Sequence, residues 1–261
     1  MLKTRLIPIL LLQNGILVRA EQFKNYQIIG NPVLEVQRYN EWAVDELIYL
    51  DITRKGQYDS YRKDSKHHEL NDPMGILDAV SETCFMPLTW GGRIRTLEDM
   101  RERFLRGADK ITINSMAYSN PELITEGTRR FGAQAIVVSI DIRREGLTKP
   151  EVFVSCGQKS TGLDPVEYAK RVEDAGAGEI LLQNIDKDGM AEGYDLELIR
   201  QVADSVSIPV IANGGAGNYE HYVDAVRAGA SAVAAANLFH FKELSDRAGK
   251  LAMARAGINV R

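Results

Sequence analysis

Asp141 has the sequence context best suited to acid–base chemistry. It directly follows the apolar run Ala135-Ile-Val-Val-Ser-Ile140, which is typical of a strand buried on both faces. A carboxylate at the end of such a strand can act as a general acid or a general base. The alternative is a helix N-cap or a salt-bridge partner of Arg143 or Arg144. Three further aspartates are weaker candidates of the same kind: Asp51, Asp186 and Asp188.

Glycines and small polar residues gather just after the predicted strands, where backbone N–H groups are open to an anion. The candidate phosphate- or substrate-binding residues form two groups: Gly92, Arg93, Asn114 and Ser115, then Asp188, Gly189, Gly214, Gly215, Ala236 and Asn237. Because the groups recur symmetrically, we expect two phosphate sites on opposite sides of one fold. For any single group, the alternative is a tight turn that needs glycine only for its geometry.

Four charged residues stand at the starts of predicted strands: Arg5, Glu46, Lys110 and Glu179. Two are cations and two are anions, so together they would form a neutral cluster in which each charge finds a partner. Taken alone, such residues are usually a solvated rim that helps stability.

The histidines and cysteines lack the spacing of a metal site or a disulfide framework. The histidines are His67, His68, His221 and His240, and the cysteines are Cys84 and Cys156. We expect no metal and no cofactor. Two cysteines far apart in the sequence favour a reducing compartment, so we predict a cytoplasmic protein.

Residues 54–72 form a long polar segment after the second predicted strand. Such segments often act as lids or contact the substrate, although a decoration without function is the alternative. Four of its residues could stack on a base and pair with a diphosphate: Tyr58, Tyr61, Arg62 and Lys63.

The sequence segments that would position these residues occur as an internal repeat. Residues 86–92 and 106–115 recur as 208–214 and 228–237, an offset of 122, and residues 45–52 recur as 178–185. Several elements therefore repeat in order, which indicates two homologous halves.

Short apolar runs alternate with helical patterns and predict eight βα units. The expected strands lie near 5–12, 46–52, 86–90, 110–114, 134–141, 179–184, 208–212 and 232–236. In the first half, Thr96 and Asp99 predict a helix start, and Arg106 with Gly107 its end. Two related halves of four units favour a closed (β/α)8 TIM barrel as one domain over 1–261, with its active site at the carboxyl ends of the strands. The alternative is an open, doubly wound sheet.

Composition gives no reason to expect a nucleic-acid or membrane partner. The chain has 261 residues, 44% of them hydrophobic, and a net charge of -4. Neutralising phosphates requires a basic surface, which this balance does not supply. The apolar opening at Leu6–Leu12 contains Pro8 and is far shorter than the roughly 20 residues of a membrane span. We therefore expect a phosphate-bearing small-molecule substrate.

These residues together resemble the cyclase subunit of imidazole glycerol phosphate synthase, an enzyme of histidine biosynthesis, nearly end to end. The most specific stretches are residues 45–53, 106–114, 176–182, 185–189, 214–217 and 257–261. The resemblance implies a two-halved barrel, paired with a separate glutaminase that feeds ammonia through it. It also implies that Arg5, Glu46, Lys110 and Glu179 form an ammonia gate at the bottom, and that Asp109 lies at the glutaminase docking face. The chain has no nucleophilic cysteine motif for glutamine hydrolysis, so the partner must supply the ammonia.

The same resemblance shows where this chain departs from the family. The family's cyclase uses two aspartates, one matched by Asp141 and the other replaced here by Leu11. Leucine cannot transfer a proton. Other departures are Arg93 in place of a third glycine, Asn237 in place of a serine, and Gln183-Asn184 in place of smaller hydroxyl residues.

The sequence resembles a divergent branch, the cyclase-like proteins of acetamidino sugar modification, more closely than it resembles the histidine enzyme. This resemblance implies that ammonia converts an acetamido group of a nucleotide sugar into an acetamidino group for surface polysaccharide. No Walker A sequence is present, which implies an additional ATP-dependent sugar amidotransferase. The alternatives are an authentic cyclase of histidine biosynthesis, with Asp51 or Asp188 as its second carboxylate, and a non-catalytic scaffold that activates the glutaminase and channels ammonia.

Overall fold

The computed structural model describes residues 3–54, 72–144 and 149–261. The strands in these ranges are β1 (Arg5–Gln13), β2 (Ile16–Glu21), β3 (Asn25–Gly30), β4 (Leu47–Asp51), β5 (Leu88–Gly91), β6 (Lys110–Ile113), β7 (Ile136–Arg143), β8 (Glu151–Val154), β9 (Lys159–Ser160), β10 (Glu179–Asn184), β11 (Val210–Asn213) and β12 (Ala232–Ala235). The helices are α1 (Pro32–Trp42), α2 (Pro73–Thr83), α3 (Leu97–Leu105), α4 (Ser115–Ser119), α5 (Glu122–Phe131), α6 (Pro165–Asp174), α7 (Leu196–Ala203), α8 (Glu220–Arg227), α9 (Asn237–Phe241) and α10 (Ser245–Arg255). A 3₁₀ turn lies at Ala133–Ala135. The predicted base- and diphosphate-binding residues of the long polar segment, Tyr58, Tyr61, Arg62 and Lys63, lie outside the described residues, as do His67 and His68.

Eight parallel strands form a closed ring, in the order β1, β4, β5, β6, β7, β10, β11 and β12. The ring closes because β7 pairs with β10, and β12 pairs in parallel with β1, where Arg5 lies opposite Ala232. Helices connect the strands, so the predicted (β/α)8 barrel is confirmed and the open doubly wound sheet is wrong. All eight predicted strands are present within one or two residues of their expected ends.

Strand alternation divides the core into two layers. Along β7, Val137 belongs to the cluster inside the barrel, whereas Ile136 and Val138 belong to the larger cluster between strands and helices. Successive side chains of a strand point to opposite faces, so Ser139 and Asp141 also point inward. The inner cluster is Ile7, Ile9, Leu11, Val18, Ala20, Ile48, Val137, Leu181, Ile211, Ala232 and Ala234.

Two antiparallel hairpins extend the barrel and were not predicted. β2 and β3 follow the first barrel strand, and β8 and β9 follow the fifth. A short helix likewise follows the fourth barrel strand (α4) and the eighth (α9). Matching additions in the two halves accord with the sequence repeat.

The helix boundaries follow local capping chemistry. The Thr96 side chain accepts from the backbone of Asp99, and the Asp99 side chain accepts from the backbone of Thr96, which is the predicted capping box. The helix ends at Leu105, and Gly107 follows with φ of 100°. Within the described residues, no helix combines the length and the apolar character needed to cross a membrane.

Candidate active site

Asp141 lies at the mouth of the barrel, meaning the carboxyl ends of the eight parallel strands. It is opposite Gln183 of β10 in the parallel register, and Gln183 is in turn opposite Asn213 of β11. Three polar side chains therefore lie side by side inside the barrel. Ser139 Oγ donates a hydrogen bond of 2.8 Å to Asp141 Oδ1. Burial nevertheless raises the pKa of Asp141 to about 6.

Asp188 joins this row through Gln183. The Gln183 side chain accepts from the amide of Asn213 and donates to Asp188 Oδ1 at 3.4 Å. Burial raises the pKa of Asp188 to about 7 against hydrogen bonding from Gln183 and from the backbone of Phe23, and the negative charge of Asp141 adds to the rise. Two carboxyl groups of the mouth therefore titrate near neutral pH, which is common at catalytic sites.

Leu11 points into the barrel at this same end. It lies in the inner apolar cluster with Val18 and Ala20 of the first hairpin, and it is 9% exposed. The residue opposite it on β4 is Leu50, which packs against the same cluster. Leu11 therefore makes apolar contacts at the position where the sequence resemblance implied an aspartate.

The second predicted phosphate site coincides with a pocket. Its empty space of about 270 Å³, including the open mouth, is lined by Asp188, Gly189, Asn213, Gly214, Gly215, Ala216, Ala234, Ala235, Ala236 and Asn237. Gly214 and Gly215 have φ values of 89° and 114°. A Cβ on Gly215 would lie 2.2 Å from the carbonyl oxygen of Gly193, so only glycine fits. The lining contains one carboxylate and no cation, which leaves backbone N–H groups and asparagine amides as donors for an anion.

The first predicted phosphate site has the same backbone but different side chains. Gly92 and Arg93 have φ values of 98° and 57°, so arginine adopts a positive φ at the position where the other half has Gly215. Ser115 Oγ accepts from the backbone of Ser155 at 2.9 Å and donates to Asn114 Oδ1 at 3.2 Å. The serine predicted to bind phosphate is therefore already bonded to the turn between β8 and β9.

The two hairpins cover the mouth. In the turn after β2, Gln22 donates its backbone N–H to the carbonyl of Asp188 at 2.9 Å and its side-chain amide to the carbonyl of Asp186 at 3.0 Å. In the turn after β8, the Cys156 carbonyl accepts from Arg54 at 2.7 Å. Sequence reasoning missed Gln22 and Ser139 as site residues, because neither follows a motif and both are positioned by tertiary contacts.

The opposite end of the barrel holds the predicted quartet of charges, which we call the basal ring: Arg5, Glu46, Lys110 and Glu179. Arg5 Nη1 lies 3.0 Å from both carboxylate oxygens of Glu46, and Arg5 Nη2 contacts Glu179. Lys110 Nζ lies 3.3 Å from Glu46 Oε2 and 3.0 Å from Glu179 Oε2. Each cation thus bridges both carboxylates. Burial alone would lower the pKa of Arg5, but the two carboxylates outweigh it and raise the pKa.

Asp109, the predicted docking residue, is exposed at this same end beside Lys110. Its Oδ2 accepts from the backbone N–H of Leu88 at 2.8 Å, which ties the start of β6 to the start of β5. The carboxylate therefore has a structural contact in addition to its exposed position near the basal ring.

The remaining candidates do not join the mouth. Asp51 alternates with the inward Leu50 and therefore points toward the surrounding helices. Burial there lowers the pKa of Arg103, and the Asp51 charge offsets only part of that fall. Asp186 accepts from the backbone of Arg144 at 2.8 Å and is two-fifths exposed. Among the described residues, no cluster of His, Cys, Asp and Glu is arranged to hold a metal ion.

The family model described as Histidine biosynthesis protein matches residues 5–245. The match begins with the first residue of β1 and ends with the first residue of α10, so it spans all eight barrel strands, the basal ring and the mouth. The chain belongs to this family of histidine biosynthesis proteins.

Proposed function

We propose that this chain is the synthase subunit of a glutamine-dependent complex, which receives ammonia from a separate glutaminase at the basal ring and uses it at the mouth. The basal ring carries the proposal. Its glutamate side chains are only 7% exposed. Desolvating four charges costs more than packing apolar residues in their place, so the ring contributes little to stability. A role in admitting a small polar molecule accounts for it better.

The lining of the barrel interior also supports passage of ammonia from the basal ring to the mouth. Between the basal ring and Asp141, the inner lining is largely apolar and includes Ile7, Ile48 and Val137. An apolar lining disfavours ions far more than neutral molecules. It would pass ammonia and hold back ammonium, which fits delivery of the neutral nucleophile to a mouth that carries the carboxyl of Asp141.

The mouth favours a substrate other than that of the histidine pathway. Leu11 stands where the resemblance implies one of two proton-transferring aspartates. Arg93 changes the first predicted phosphate site, and Asn237 changes the second. We propose that the substrate is a nucleotide-activated sugar whose acetamido group becomes an acetamidino group for surface polysaccharide. The phosphates of that substrate would bind at the pocket lined by Gly214 and Gly215.

The proposed assembly needs two partners. A glutaminase supplies ammonia at the end of the barrel where Asp109 is exposed, and an ATP-dependent sugar amidotransferase activates the amide oxygen. Both cysteines, Cys84 and Cys156, are free thiols, which suits the reducing cytoplasm where we place the complex.

An authentic cyclase of histidine biosynthesis is the second candidate, because the family match covers most of the chain. Members of this family are enzymes of the cyclase or isomerase type. In this candidate, Asp141 would work with another carboxylate of the mouth, since Leu11 cannot contribute one.

A direct competition of substrates tests the proposal. The chain is incubated with ammonium chloride and either the ribulosyl formimino carboxamide ribotide or a nucleotide N-acetyl sugar with the ATP-dependent partner. The proposal expects mass spectrometry to detect an amidine on the sugar, and this product should disappear when ammonium is omitted. Rapid turnover of the ribotide, with no amidine on the sugar, would establish the cyclase instead.

A further inference from the structure

The mouth contains a second carboxyl group, and the sequence left open which of three aspartates it is: Asp51, Asp186 or Asp188. Strand alternation directs Asp51 away from the barrel interior, and Asp186 is partly exposed and accepts a hydrogen bond from the backbone of Arg144. Asp188 differs from both. Its Oδ1 accepts from Gln183, and the backbone of Phe23 also lies close enough to stabilise the carboxylate. Its Oδ2 is shielded from solvent and has no hydrogen-bond partner within 3.5 Å among the described residues.

The neighbouring side chains of Gln183 and Asn213 hold Asp188 in place relative to Asp141. Gln183 is the register neighbour of Asp141, and the amide of Asn213 holds Gln183 so that its N–H₂ group faces Asp188. The turn after β2 holds the backbone, because Gln22 N–H donates to the Asp188 carbonyl at 2.9 Å. A carboxyl group that neighbouring groups hold in place, and that keeps one oxygen without a close hydrogen-bond partner, is arranged for proton transfer.

A direct role in phosphate binding suits Asp188 poorly. It lines the same pocket as Gly214 and Gly215, and an ionised carboxylate there would repel a phosphate dianion. A carboxyl group at the inner edge of the pocket, next to the row that leads to Asp141, is better explained by chemistry at the reacting end of the substrate.

We propose that Asp188 is the second proton-transfer residue of the mouth and forms an acid–base pair with Asp141, in place of the carboxylate lost at Leu11. This inference rests on the proposed function. Ammonia forms a C–N bond to an electrophilic carbon that bears an oxygen leaving group, such as an imidoyl phosphate made from the amide by the ATP-dependent partner. The nitrogen becomes positively charged and loses one proton to the Asp141 carboxylate. Asp188, as the acid, donates its proton to the departing oxygen as the C–O bond breaks, and solvent resets both groups.

The assignment of the two roles follows from the environments of the carboxyl groups. The pKa of Asp141 is about 6 and that of Asp188 about 7, so Asp141 ionises first and Asp188 keeps its proton longer. Because the two groups interact, their titrations belong to the pair. Product formation should be maximal between these values and should fall on both sides.

Three variants of the full chain test the pair: Asp188→Asn, Asp141→Asn and the control Glu192→Gln. Glu192 follows Asp188 in the same loop, is exposed and pairs with Lys187 at 3.5 Å, so its variant removes one negative charge from the loop outside the mouth. Carboxyl NMR titration of the chain alone should show the pKa of Asp188 falling in Asp141→Asn, because the Asp141 charge helps to raise it, and unchanged in Glu192→Gln. An unmoved Asp188 titration in Asp141→Asn would overturn the pairing, whatever the substrate.

The second measurement is steady-state product formation with ammonium chloride. Asp188→Asn should lower kcat by about 10²- to 10⁴-fold, leave KM within a few-fold and abolish the fall in rate above neutral pH. Glu192→Gln should retain the wild-type rate. A wild-type rate in Asp188→Asn would refute the inference alone, whereas wild-type protein that consumes no ammonia would refute the proposed function.

Discussion

Lys110 Nζ lies 3.0 Å from Glu179 Oε2 at the base of the barrel, and each of these residues also contacts a second member of the basal ring. The four charges form a closed circuit across strands that are far apart in sequence. A single substitution in the basal ring should therefore break the circuit of ion pairs and leave the barrel folded.

Lys110→Ala tests the ring as an ammonia gate. The variant leaves Glu46 and Glu179 with Arg5, so we expect the ratio of product to glutamine hydrolysed to fall several-fold as ammonia escapes. Because Lys110 is partly exposed, its replacement should lower the free energy of unfolding by only about 1–3 kcal/mol. Parallel assays of glutamate release and product measure the ratio.

Lys250→Ala is the matched control, because Lys250 Nζ pairs with Asp45 Oδ1 at 2.7 Å outside the ring. It removes an equivalent cation and should leave the ratio unchanged. Equal ratios in wild type and Lys110→Ala would contradict a gating role.

Gly92→Ala tests why the loop after β5 needs glycine. Gly92 has φ of 98°, and an added Cβ would lie 2.1 Å from the Asp51 carbonyl oxygen. Strain and the clash together should lower the free energy of unfolding by roughly 3 kcal/mol or more. Urea unfolding measures the loss.

Gly257→Ala separates strain from the clash. Gly257 has φ of 82° and nothing within 4 Å of an added Cβ, so we expect a loss of about 1 kcal/mol. Equal losses for the two variants would show that the close approach to Asp51 is unimportant.

Asp141→Asn should change how stability depends on pH. Burial raises the pKa of Asp141 from 3.8 to about 6, so the native state holds the proton more tightly than the unfolded chain. The resulting stabilisation is complete below about pH 4 and is lost as pH rises toward 6, a change of about 3 kcal/mol. Asparagine can still accept from Ser139 and never ionises.

We therefore expect Asp141→Asn to be more stable than wild type at about pH 7.5 and no more stable at about pH 4. Urea unfolding at both pH values measures this difference. The same stability gain at both values would show that the carboxyl group of Asp141 titrates normally in the folded protein.

The strands and the basal ring could be predicted because local patterns determine them. Buried parallel strands are continuous apolar runs, and the repeat showed how many to expect. Arg5 and Glu46 lie at strand starts, and the closure of eight strands brings such residues together.

The two hairpins that cover the mouth were not predicted from the sequence, although the sequence contains a signal for one of them. Asn14 and Gly15 lie between β1 and β2 with φ values of 50° and 81°, which is the Asn-Gly pattern of a two-residue hairpin turn. The link from Gln183 to Asp188 has no such signal, because it depends on side-chain contacts formed only in the folded barrel.

The central claim is that ammonia enters at the basal ring and reacts at the mouth without mixing with solvent. It is tested most directly by supplying amide-¹⁵N-glutamine to the assembled complex in an excess of unlabelled ammonium chloride. We expect mass spectrometry to find the ¹⁵N label in most of the product. Product labelled only in proportion to the ammonium pool in solution would contradict the claim.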